Sequence, residues 1–115
     1  MEDEQQAWYD TDEDRAYEDA VNAVKAAVES GTAFDEAASK IDLGDKSLTD
    51  TAISDALKLL IAEMHFMKHK SLEEVAEKLK LPIDRVEGTR REMVAEVEAD
   101  AIQKYKESMG QGGNA

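Results

Sequence analysis

Cysteine is absent from this 115-residue chain, proline occurs once, and the large rings number one Trp, three Tyr and two Phe. Without a thiol there is no disulfide framework, no cysteine nucleophile and no thiolate ligand for zinc or iron, so packing alone must hold the fold. No apolar run approaches the roughly 20 residues of a membrane span, and Met1-Glu2-Asp3-Glu4 is the reverse of a basic signal-peptide start. The expected compartment is the cytoplasm. No glycine-rich phosphate loop and no nucleophile elbow occurs, and at this acidity carboxylate pairs are too common to mark acid/base chemistry. Neither an enzyme nor a cofactor is therefore expected.

What is present is helical. The chain is 42% apolar and its six glycines fall mainly at ends and turns, which suits one all-α domain with one core. The net charge of -13 is unevenly placed. Met1 to Asp50 holds 15 acids against 4 bases, whereas Lys58 to Arg91 holds 8 bases and 6 acids. The two halves therefore present surfaces suited to different partners.

Periodicity predicts a small bundle of about five helices. Residues 1–12 read as a flexible acidic lead-in with Trp8 and Tyr9, 13–107 as the domain, and 108–115 as a flexible tail. Tyr17, Ala20, Val21, Val24 and Val28 form the stripe of a first helix that Gly31 can end, and Thr32 is placed to cap a short second one. Ser47 is expected to cap a third helix, running to about Lys68 and apolar on more than one side, which suits the centre of a bundle. Ser71 with Glu74 is a capping-box pattern that starts a fourth helix, Pro82 stops it, and a fifth runs to about Lys106.

The fourth and fifth helices carry the informative motif. In Leu72-Glu73-Glu74-Val75-Ala76-Glu77-Lys78-Leu79-Lys80-Leu81-Pro82-Ile83-Asp84-Arg85-Val86, a small Ala76 permits a close crossing, while Leu79, Leu81 and Val86 fill the angle. Leu72 to Arg91 resembles the helix-turn-helix of bacterial sigma-factor C-terminal regions and related transcription regulators, whose first helix often reads Leu-Glu-Glu-Val. The sequence differs from that family at Lys80, where the turn often has Gly, and at Thr89, where a large apolar residue is usual. The resemblance implies that Asp84 to Glu92 is a recognition helix entering the major groove.

The residues expected to reach DNA are Lys78, Lys80, Arg85 and Arg91. Stepping 100° per residue from Val86 turns Asp84, Arg85, Glu87, Gly88, Arg91, Glu92 and Ala95 outward, while Arg90 projects toward the core. The expected partner is thus DNA or a DNA-associated protein, with no membrane. The alternative is an acidic module or DNA mimic that presents Asp12, Asp14, Glu18 and Asp19 to a basic protein. Val94, Ile102 and Tyr105 are left over for a second copy of the chain, giving a homodimer.

Three weaker signals read as structural. Asp10, Asp12 and Asp14 have calcium-loop spacing, but Arg15 and Val21 occupy the turn-glycine and bidentate-glutamate places. His65 and His69, four apart, lack an obvious third ligand and read as a helical surface pair, and no metal is expected. Met64, Phe66 and Met67 read as core.

Overall fold

The computed structural model describes residues 12–113, and among these there are five α-helices and no strand. The lead-in at residues 1–11, with Trp8 and Tyr9, and the last two residues lie outside the described part.

Helix α1 (Asp12–Glu29) buries Ala20, Val24 and Val28, and Tyr17 and Val21 flank them half-buried. It ends as the glycine predicts. Gly31 takes φ of 104°, its amide donates to the Val28 carbonyl at 2.9 Å, and the Thr32 amide donates to Ala27 at 2.9 Å. Because that bond assigns Thr32 to the end of α1, the expected Thr32 cap does not form. Helix α2 (Phe34–Ala38) begins instead after Ala33, which has no capping side chain, and is held by burial of Phe34, Ala37 and Ala38.

Helix α3 (Lys46–Ile61) is the central element. Its cap is Asp45, not Ser47: the carboxylate accepts from the Leu48 amide at 3.0 Å, and a negative charge there also suits the helix dipole. Ala52, Ala56, Leu57, Leu60 and Ile61 are buried along it. The plain α-helix expected to Lys68 widens into a π-helical stretch at Ala62–Met67, where the Lys68 amide bonds back to Glu63 at 3.0 Å. One extra residue per turn changes which side chains face inward. Met64 stays buried, whereas Phe66 is 45% and Met67 71% exposed, so only one of the three residues assigned to the core joins it. His69 at φ of 59° ends the stretch, with the Lys70 amide bonded to Met64 at 2.9 Å.

Helix α4 (Leu72–Leu79) has the predicted capping box, with the Ser71 hydroxyl accepting from the Glu74 amide at 3.1 Å and the Glu74 carboxylate accepting from the Ser71 amide at 3.4 Å. Helix α5 (Ile83–Gly113) continues past the expected end near Lys106. One core unites the elements, with Val24, Val28, Phe34, Ile61, Val75, Leu79 and Val86 fully enclosed at its centre. Met93 packs against its edge, half-buried.

Candidate functional site

Helices α4 and α5 meet through Lys80, Leu81 and Pro82. The Leu81 amide donates to Ala76 at 3.0 Å and the Lys80 amide to Glu77 at 3.2 Å, the same pattern that closes α1 at Gly31. Here the left-handed residue is Lys80, at φ of 57°, a conformation that costs a side-chain-bearing residue about 1 kcal/mol. The Pro82 carbonyl accepts from Arg85 and Val86, which starts α5 at once. Ala76, Leu79, Leu81 and Val86 are all buried in the angle between the helices, as the spacing predicts.

The four cations assigned to this unit divide into two pairs. Arg85 is turned inward onto α2: its Nη1 lies 2.7 Å from the Asp35 carboxylate, and its guanidinium carbon is 5.6 Å from the Phe34 ring centroid. Lys80 donates from Nζ to the Gly31 carbonyl at 3.0 Å, so one left-handed residue clamps the turn built on the other. Lys78 and Arg91 are exposed, with no ion pair among the described residues. Around them the surface of α5 is mixed, with Asp84 and Glu92 exposed and Glu87 half-buried. Arg90 packs half-buried as expected, and its Nε lacks a partner.

Beside α4 lies a cleft of about 560 Å³, between the end of α1, the π-helical stretch and α4. Val28, Leu60 and Met64 contribute its apolar wall, and Lys68, Lys70, Lys78 and Lys80 line it together with Glu29, Glu63, Glu74 and Glu77. Several of these charges are already engaged. Glu63 accepts from Lys25 at 2.6 Å, a contact that holds the lysine above its ordinary range against some loss of hydration, and Glu74 belongs to the capping box. Lys68 and Lys70 were not assigned a role from sequence. The signal available was their position on either side of a residue that breaks the helix just before the capping box.

The histidines do not share a helical face, because His69 lies in the left-handed turn beyond the π-helical stretch. The His65 Nδ1 sits 2.7 Å from the Lys70 carbonyl and so stabilises that turn. Among the described residues no group of three His, Cys, Asp or Glu could hold a metal. Asp12, Asp14, Glu18 and Asp19 are all exposed on α1. By helical geometry Asp14 and Glu18 border the buried stripe, whereas Asp12 and Asp19 lie on the far side, so the four do not form one acidic row.

No helix among the described residues is long and apolar enough to cross a membrane. The chain matches no protein-family model, no curated protein and no solved structure.

Proposed function

We propose that this protein is a non-enzymatic regulatory protein whose α4–turn–α5 unit, read as a helix-turn-helix, engages a DNA-associated protein machine. One observation carries the choice of machine over bare duplex. Of the four cations of this unit expected to reach phosphate, Arg85 is paired with Asp35, Lys80 keeps its charge but holds its Nζ on the Gly31 carbonyl, and the other two, Lys78 and Arg91, have acids beside them. Phosphate neutralisation supplies most non-specific DNA affinity, and two cations on a chain of net charge -13 supply little of it. A homodimer in the cytoplasm is part of this reading.

The test combines DNA titration with capture from lysate after nuclease treatment. Wild-type protein is expected to bind duplex weakly even at low salt, to retain its partner after nuclease, and to lose it when Lys78 and Arg91 are both changed to Glu. Tight, steeply salt-dependent duplex binding, abolished by that pair of changes, would replace the machine with DNA itself. If the pair matters little and neutralising Asp12, Asp14, Glu18 and Asp19 removes the partner, the acidic-module alternative takes its place.

A further inference from the structure

Helix α5 outruns the body it packs on, and past Met93 its apolar residues keep to one side. Relative to Val97, steps of 100° place Ala101, Val94, Tyr105, Met109 and Ile102 at increasing angles within about 140°. The acids Glu92, Glu96, Asp100 and Glu107 fall outside that arc, and Glu98, which also lines the groove at its inner end, is the one acid within it. Val97, Ile102, Tyr105 and Met109 are 69%, 54%, 66% and 58% exposed. At the inner end of this face, Phe66, Met93, Val94 and Val97 line an almost wholly apolar groove of about 370 Å³. Groove and projecting side chains thus occupy successive lengths of a single helix face.

We propose that this face is a two-fold homodimer interface in which two α5 helices pack antiparallel, each seating Tyr105 and Met109 in the groove of the other. Self-complementarity is the argument for a second copy as the occupant. A two-fold axis near Ala101 puts residues whose numbers sum to about 202 opposite one another, so Tyr105 meets Val97 and Met109 meets Met93 across both halves at once. The small Ala101 stands where the helices approach most closely. The exposed apolar side chains of the face amount to on the order of 500 Å² per copy by their exposed fractions, and grooves lined by Met93 and Val94 add to that, toward the roughly 800 Å² per partner of a stable interface. The π-helical stretch has a role here, since it is what turns Phe66 outward to form the groove wall.

Because each copy carries a net charge of -13, association is expected to strengthen as salt screens the repulsion. Sedimentation at rising concentration and moderate salt is expected to show a dimer. Tyr105→Asp, at an exposed site, is expected to weaken it at least about tenfold, the scale of an interface anchor, while leaving the helical circular dichroism of the monomer in place. The register is tested separately, because the natural chain has no cysteine. A mixture of Val97→Cys and Tyr105→Cys chains is expected to cross-link between the two variants faster than either variant links to itself, and Ala99→Cys, on the opposite side of α5, is expected to stay unlinked. A monomer at every concentration, an unweakened Tyr105→Asp dimer, or self-linking that outpaces mixed linking each overturns the proposal. Tyr105 lies about 20 Å along the helix from Arg91, so a failure here is distinct from a failure of the partner capture that tests α4 and Arg91.

Discussion

From Ile83 to Glu96, helix α5 rests on the core through Val86 and Met93 and is tied to α2 through Arg85 and to α3 through Lys58, whose Nζ lies 2.6 Å from Glu96 and 3.8 Å from Glu92. From Val97 onward, its described side chains are all exposed, and among the described residues its side-chain hydrogen bonds and ion pairs are the local pairs Lys104 with Asp100 at 3.1 Å and Gln103 with Glu107 at 3.2 Å. Such pairs add only a few tenths of a kcal/mol each. In proteins most helical stability comes from packing of an apolar face and not from propensity. The outer half is therefore a continuation nucleated by the packed half, and its helicity depends on the inner half far more than the reverse. One element thus holds a segment that the core fixes and a segment that the core leaves available.

The largest effect that separates these segments is cavity formation. Leu79→Ala, at a fully buried site between α4 and α5, is expected to cost about 2 to 5 kcal/mol. Val97→Ala, at a site 69% exposed, is expected to change the stability of the dilute monomer by no more than about 0.5 kcal/mol. Urea denaturation of both variants checks the contrast. Equal losses at the two sites would mean that the outer half of α5 packs on the body after all.

The packed segment was the more legible in sequence because its devices are local. The capping box at Ser71 and Glu74, the glycine stop at Gly31 and the apolar spacing of Val75, Ala76, Leu79 and Val86 all act within a few residues, and each is found where periodicity places it. What periodicity could not supply was the fate of the cations. Arg85 and Asp35 are 50 positions apart, and Lys80 and Gly31 are 49 apart, so only the tertiary fold brings them together. The π-helical stretch was hidden for a related reason: its residues are ordinary helix formers, and nothing in their spacing marks the widened turn. Expectations for Phe66, Met67 and His69 failed together because all three assumed an unbroken 3.6-residue period.

A smaller effect compares the two left-handed turns that close α1 and α4. A Cβ at Gly31 would meet nothing within 4 Å, so its cost is conformational, and at φ of +104° Gly31→Ala is expected to lose about 1 to 2 kcal/mol. Lys80→Gly runs the other way. It relieves the left-handed strain, but it adds flexibility to the unfolded chain and removes the bond to Gly31, so a gain of at most about 1 kcal/mol is expected. Thermal midpoints of the two variants measure this. A clear loss for Lys80→Gly would show that the clamp between the two turns outweighs the strain it imposes.

The smallest effect lies at the boundary between the two halves of α5, where Lys58 reaches the carboxylates of Glu96 and Glu92. The hydrogen bond to Glu96 raises the lysine above its ordinary value of 10.5, partial loss of hydration opposes this, and the charges of Glu96, Glu92 and Asp55 add to the rise. A cation whose pKa is higher folded than unfolded gives a contribution that is fully present below 10.5 and is lost as pH rises through the folded value. Lys58→Met keeps the aliphatic stem and removes the charge. The midpoint difference between wild type and this variant is therefore expected to be small, constant from neutral pH to about pH 10, and to shrink above it. A difference that persists unchanged in strong alkali would assign the role of Lys58 to stem packing, and α5 would then be held at this boundary by contact and not by charge.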